Sequence, residues 1–234
     1  MDLNKAGQRT RRNVIGAAGV FGAAIVAAMF GRPRIAAAGD CFLRGTRIWT
    51  PEGETRVEDL RPNDRVVTFS GEAKPIKFVA RHRWTGRVPI RVARSALGPN
   101  NPHRDLYLSD WHSLYLDGVL VPVFNLLNDE TIVRCKAERA ELEFFHILLA
   151  RHDIIFAEGA ACETYLGGGL ASCDNFAEYR ELYGDPAELT YCAPVLCYDS
   201  ARAMLKGRLR SAVSPIIDFR SRLDVLRDDL VERI

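Results

Sequence analysis

The chain has 234 residues, of which 47% are hydrophobic and 26% charged, enough for one folded domain with appendages. Its formal net charge of +2 is near neutral, and no basic patch indicates a nucleic-acid partner. The six cysteines include no Cys-x-x-Cys pair, which argues against a zinc ribbon.

The first forty residues read as a leader rather than as part of the fold. Positive charges precede the uncharged run 14–30, and they are Lys5, Arg9, Arg11 and Arg12. The segment Thr10–Ile15 resembles a twin-arginine export signal. Ala36–Ala38 supplies the small residues that signal peptidase needs. We therefore expect residues 1–40 to direct export to the periplasm or the extracellular space.

The run 14–30 also raises the question of a membrane anchor. At about 1.5 Å per residue it spans about 26 Å, slightly less than the roughly 30 Å hydrocarbon core of a bilayer. It is either a cleaved signal or a marginal anchor, and in the second case residues 14–30 associate with the membrane. A lipid anchor on Cys41 is excluded because Asp40, which precedes it, is not a small residue.

The stretch 41–69 opens the folded part with a cysteine and then alternates turns and strand-like runs. Pro51–Glu54 and Pro62–Asp64 have turn composition, and Val57–Leu60 reads as a short helical turn. Arg65–Phe69 is β-branched and apolar enough for a strand.

This spacing resembles the opening motif of the Hint module, which Hedgehog proteins and inteins share. The family pattern is a cysteine, Gly-Thr, an apolar strand, a Gly turn, Val-Glu-x-Leu and a Gly-Asp turn. Here Asn63 stands in place of that last glycine, and asparagine tolerates the left-handed backbone conformation. The resemblance implies a flat horseshoe of β-hairpins that places Cys41 beside a histidine of a second motif.

The region up to residue 166 is predicted to be mainly β. Alternating residues over 74–84 favour a half-buried strand, and shorter strands are expected at 90–93 and within 106–116. Asp117-Gly118 between apolar runs predicts a tight hairpin, with a return strand over 119–123.

Ser109 and His112 form the second motif. Their spacing is similar to the Thr-x-x-His or Ser-x-x-His block of the Hint family, which lies at a strand end. The resemblance implies that His112 donates a proton to the departing amine and that Ser109 orients the scissile amide. The alternative is a structural histidine in an aromatic cluster with Trp111 and Tyr115.

The segment 144–159 resembles the late block of the family. There, His152 and Asp153 would act on the thiol or on the nucleophile that resolves the intermediate. Inteins end this block with His-Asn, but no asparagine occurs near Cys162–Thr164. The sequence therefore does not support cleavage on the C-terminal side, and Hedgehog is the nearer analogy.

The remaining residues, 167–234, are predicted to form a helical extension packed on the β domain or on a sister chain. Helices are expected over 174–183, 193–211 and within 215–234. The last would present Phe219, Leu223, Leu226 and Leu230 on one face. The domains are thus 1–40, 41–166 and 167–234.

The cysteine chemistry that the resemblance implies is intramolecular. Cys41 would attack the carbonyl of Asp40, since a neighbouring group of this kind can reach effective molarities of about 10⁵–10⁸ M. The substrate is then the chain's own upstream peptide, and water or another nucleophile resolves the thioester. No metal or organic cofactor is expected.

Three alternatives on the role of the cysteines stay open at this point. The chain is an autoprocessing module, an exported binding or structural domain on an inactive Hint scaffold, or a thiol hydrolase that uses Cys41, His112 and Asp153 in trans. Export would favour disulfides among Cys162, Cys173, Cys192 and Cys197.

Overall fold

Short antiparallel strands followed by helices make up the part of the chain that the computed structural model describes. These residues are 41–136, 141–166, 168–187, 189–198 and 200–232. The leader predicted for residues 1–40 lies outside them. Within the described ranges, no helix is both long and apolar enough to cross a bilayer.

A first six-stranded sheet carries the start of the domain at its centre. Its strands, in spatial order, are β11 (Ile132–Arg134), β7 (Ile90–Val92), β8 (Leu106–Leu108), β1 (Phe42–Leu43), β12 (Glu141–Leu148) and β6 (Phe78–Thr85). All neighbours pair antiparallel. The N-terminal strand is therefore enclosed on both sides, between β8 and β12.

A second six-stranded sheet packs the other half of the core. Its strands, in spatial order, are β10 (Val119–Pro122), β9 (Ser113–Leu116), β14 (Ala160–Glu163), β13 (Ile154–Ala157), β2 (Arg47–Thr50) and β3 (Gly53–Arg56). A two-stranded ribbon pairs β4 (Arg65–Val67) with β5 (Ala73–Pro75). The prediction of a mainly β body is confirmed.

The predicted hairpin at Asp117-Gly118 is confirmed. Leu116 pairs with Val119, so the two residues form the whole turn. Both have positive φ, 47° and 85°. Mirror-image turns of this type require that conformation at both central positions, and Asp-Gly is a favoured pair for it.

One hydrophobic core joins the two sheets. Phe42 and Leu108 from the first sheet and Ile48, Leu114 and Ile155 from the second are at most 1% exposed. Burial of a side chain of this size stabilises the fold by about 1.5–3 kcal/mol. This shared core fixes the position of β1 relative to the strands around it.

The predicted helical tail is present, with different boundaries. The helices are α1 (Phe176–Tyr183), α2 (Ala201–Val213) and α3 (Arg222–Glu232). Ser200 caps α2, where its side chain accepts a hydrogen bond from the Ala203 N–H. Leu223, Leu226 and Leu230 are buried as predicted. Phe219 precedes α3 and is 67% exposed, so its assignment to the buried face was wrong.

The segment before α2 is not helical, contrary to the prediction that a helix begins at residue 193. Val195 instead forms a parallel bridge with Leu120, on the free edge of β10. The Leu120 N–H donates to the Pro194 carbonyl, and the Leu196 N–H donates to the Leu120 carbonyl. The unpaired backbone groups of an edge strand account for this choice, because they gain partners here.

A buried carboxylate joins α2 to α3. Asp224 is fully buried and accepts hydrogen bonds from Tyr198, from Arg210 at 2.7 Å and from the Ser221 hydroxyl at 2.8 Å. A Cβ at Gly207 would collide with the Asp224 carboxylate and the Tyr198 hydroxyl, so glycine lets α2 approach these two side chains.

Candidate active site

The strand register around β1 sets the geometry of the site. Phe42 pairs with Leu108 of β8 on one side and with Phe145 of β12 on the other. Cys41 precedes Phe42, while Ser109 follows Leu108 and His146 follows Phe145. In antiparallel pairing, Cys41 therefore lies opposite Ser109 on one side and opposite His146 on the other. Directly opposed residues of antiparallel strands project from the same face, so this register places the three side chains in one row.

Cys41 and Ser109 are linked in both directions. The Cys41 N–H donates to the Ser109 Oγ at 2.8 Å, and the Ser109 N–H donates to the Cys41 carbonyl at 3.0 Å. Cys41 is fully buried and Ser109 is 3% exposed. The nitrogen of the bond that Cys41 would break therefore lies against the serine hydroxyl, and the orienting role predicted for Ser109 stays a prediction.

His112 lies in the turn that follows Ser109. Its N–H donates to the Ser109 carbonyl at 3.1 Å, and its ring is 4.3 Å from the ring of Phe42, centroid to centroid. The rings of Trp111 and Tyr115 contact Phe124 and Phe69 instead. The buried imidazole of His112 thus lies beside the residue that follows Cys41.

His146 was not among the predicted site residues, yet its ring contacts the sulfur of Cys41, the predicted nucleophile. Its Nε2 lies 3.0 Å from the Cys41 Sγ, and the side chain is 2% exposed. Its ring packs at 4.4 Å against Tyr165. A single histidine within the apolar run of β12 was the available signal, but only the pairing of β1 with β12 shows what it faces.

His152 and Asp153 belong to a second cluster. The His152 Nε2 is 3.2 Å from the Glu163 carboxylate, and its Nδ1 accepts the N–H of Cys192 at 3.1 Å. Asp153 pairs with Lys74 at 2.7 Å. The structure thus groups Cys41 with Ser109, His112 and His146 and gives the second predicted pair other partners. The role predicted for that pair stays a prediction.

The cluster of His152 and Glu163 supports the turn after Ser109 that carries His112. Glu163 accepts the N–H of Ser113, next to His112, at 2.6 Å. Burial lowers the pKa of His152, but the thiol of Cys192 and the Glu163 carboxylate raise it, to about 9. The backbone N–H of Cys192 opposes this rise of the pKa, because it donates to the His152 Nδ1 and that bond requires Nδ1 to be unprotonated.

The other cysteines are thiols, and their surroundings favour a reactive sulfur less than those of Cys41 do. Cys162, Cys173 and Cys192 form no disulfide, and the Cys197 Sγ donates to the Tyr198 carbonyl at 3.1 Å. The bridges expected on export are therefore not formed among these residues. Burial raises the pKa of Cys162, and raises that of Cys173 to about 12, so both stay protonated at neutral pH.

The chain was compared with known families and structures. The model of the "Hint domain" family matches residues 40–169, which is more than half of the chain. Among proteins of curated function, none matches the chain significantly.

Solved structures with a similar course of the backbone include inteins. An intein-like domain from Clostridium thermocellum is 12% identical, with a TM-score of 0.42, over 53% of this chain and 97% of that one. A DnaB intein from Synechocystis sp. PCC 6803 is 9% identical, with a TM-score of 0.39, over 53% and 98%. The gp41-1 intein is 13% identical, with a TM-score of 0.39, over 53% and 98%. On the extent of the family match, the chain belongs to the Hint domain family, and this fold supports a self-processing module in general.

Proposed function

We propose that Cys41 breaks the peptide bond that precedes it by an N–S acyl shift. The Sγ forms a bond to the carbonyl carbon of residue 40, the C–N bond breaks, and the upstream segment is held as a thioester. The observation that carries this proposal is the row Ser109, Cys41 and His146, in which the sulfur lies 3.0 Å from an imidazole nitrogen.

The proton transfers are assigned from these contacts. His146 accepts the thiol proton, because its Nε2 is within hydrogen-bond distance of the Sγ. Ser109 holds the amide nitrogen that becomes the leaving amine. His112, beside Phe42 and bonded to the Ser109 backbone, is the donor that protonates this amine. His112 starts as the imidazolium and ends neutral, while His146 starts neutral and ends as the imidazolium, so protons and bonds balance without a metal or an organic cofactor.

The downstream side of the module stays joined in this scheme. The resemblance puts the cyclising asparagine of inteins near Cys162–Thr164, where this chain has no asparagine. Water, an alcohol or an amine therefore resolves the thioester and releases the upstream segment. This segment is the leader, 1–40, for which we propose twin-arginine export with membrane association through residues 14–30 before release.

Burial of the nucleophile favours this reading over a hydrolase acting in trans. Cys41 has no exposed surface, so a separate substrate has no path to the sulfur without a rearrangement. The preceding peptide bond is covalently adjacent and needs none.

The test is the mass and the N-terminal residue of the purified full chain, wild type against Cys41→Ala. We expect the wild type to begin at Cys41 and the variant to keep the leader. Cys192→Ala, which removes an exposed thiol, should behave like the wild type. If the wild type and Cys41→Ala both begin at Gly39, a separate peptidase makes the cut. Such a result would favour the inactive-scaffold alternative.

A further inference from the structure

A second group of chemically active side chains lies away from Cys41, where three segments of the chain meet. Glu54 is on β3, His103 is in the loop between β7 and β8, and Glu158 is in the turn between β13 and β14. One ligand atom from each residue lies within 4.8 Å of the other two. The His103 Nε2 is 2.9 Å from a Glu54 oxygen and 3.6 Å from a Glu158 oxygen.

The Glu158 Oε2 lacks an ordinary partner. It is buried, accepts no hydrogen bond among the described residues, and lies 3.6 Å from the nearest imidazole nitrogen. The Glu54 Oε1 is also buried and faces the His103 Nε2 at 2.9 Å, but not in hydrogen-bond geometry. Glu158 as a whole is 5% exposed. A buried carboxylate oxygen without a hydrogen bond is costly, so a cation between these atoms would supply the missing interaction.

The backbone holds the group in place. The other Glu158 oxygen, Oε1, accepts the Arg47 N–H at 2.8 Å, which leaves the Oε2 directed at the histidine. The backbone N–H of His103 donates to the backbone carbonyl of Glu158 at 2.9 Å. Gly159 allows the ring to approach, because a Cβ there would lie 2.8 Å from the His103 Nδ1.

The charges also fit a cation. The carboxylates of Glu54 and Glu158 lie close together, and Glu158 is only 5% exposed, so their charges repel each other with little screening by water. A neutral imidazole and two carboxylates carry a charge of −2, which a divalent ion would neutralise.

The donor set selects among metals. Two oxygens and one imidazole nitrogen suit the first-row divalent ions that accept mixed ligands, with open positions left for water. Ligands at about 2.1 Å from one such ion lie roughly 3.0–3.5 Å apart. The observed separations need only side-chain adjustments to reach that geometry.

We propose that Glu54, His103 and Glu158 bind one divalent first-row transition-metal ion. The ion ties the loop before β8 to the β13–β14 turn and to the edge strand β3. This site is independent of the chemistry proposed for Cys41.

The experiment uses the full chain carrying Cys41→Ala, so that the leader is retained and the nucleophilic thiol cannot bind metal. After treatment with a chelator, the protein is titrated with Mn²⁺, a probe with little affinity for thiols, and free Mn²⁺ is followed by electron paramagnetic resonance. We expect one ion per chain, with the affinity reduced at least about tenfold by His103→Gln or by Glu158→Gln.

The control is Glu52→Gln, which removes the same charge from an exposed turn two residues before Glu54 and should leave the affinity unchanged. Circular dichroism checks that each variant is folded. Glu54→Gln, on the sheet edge, serves as a second ligand variant if a buried one fails to fold. A parent chain that binds no Mn²⁺, or folded ligand variants that bind it as tightly as the parent, would overturn the proposal.

Discussion

His146 offers the sharpest test of the proposed chemistry, because the sequence did not single it out. The change His146→Gln keeps a polar side chain of similar reach but removes a group that can exchange a proton near neutral pH. We expect the folded variant to cleave far more slowly than the wild type.

The magnitude follows from the geometry. The His146 Nε2 lies 3.0 Å from the Cys41 Sγ, and both side chains are at most 2% exposed, so bulk water cannot easily replace the imidazole. A positioned acid or base contributes about 10²–10⁴-fold in rate. This range corresponds to about 2.7–5.4 kcal/mol in the activation free energy.

The assay follows the release of the leader from the full chain by mass spectrometry, with a small thiol or hydroxylamine added to capture the thioester. His82→Gln is the matched control, since His82 lies on the neighbouring strand β6 with its ring 4.2 Å from that of Trp84. Thermal unfolding verifies that both variants are folded. A folded His146→Gln chain that cleaves within threefold of the wild type would refute the role of His146 as the base.

Three further predictions concern stability. Asp224→Ala leaves the buried Tyr198 hydroxyl without its partner and removes the ion pair with the partly exposed Arg210, so it should lower the free energy of unfolding in urea by about 1–3 kcal/mol. The folded pKa of His152 is raised to about 9, so protonation of its ring contributes to the free energy of unfolding. This contribution is complete below pH 6.5 and is lost as the pH rises through 9. Urea unfolding at pH 6 and at pH 9 should show this loss of stability, and His152→Gln should abolish the difference. An unchanged stability in the wild type would mean that the N–H bonded to Nδ1 keeps the ring neutral. Gly159→Ala should cost about 1–3 kcal/mol in thermal unfolding, and more than Gly118→Ala, since both have positive φ but only the first would contact His103. Equal costs would show that this contact is relieved without strain.

Local chemistry made part of the fold predictable. The turn at Asp117-Gly118 follows from two neighbouring residues that accept positive φ, and nothing distant is needed to place it. Leu223, Leu226 and Leu230 follow from helical spacing in the same way.

Long-range pairing made the rest unpredictable. The contact of Cys41 with His146 spans 105 positions in the sequence and depends on the register of β1 against β12. The segment around Val195 reads locally as helix, but the open edge at Leu120 offers it hydrogen bonds that no local pattern reveals. Ser109 and His112 were found only because their spacing resembles that of a known family.

The double link between Cys41 and Ser109 has a kinetic consequence. In the proposed acyl shift, β1 and the Ser109 hydroxyl would hold the nitrogen, whose N–H donates to that hydroxyl at 2.8 Å, so the freed amine would stay close to the acyl group that it has lost. The amine would then be well placed to attack the thioester again, and the thioester would be a short-lived minority species. The rate at which the N-terminal segment is released would then be set by the nucleophile that captures the thioester, and it would rise with the concentration of that nucleophile.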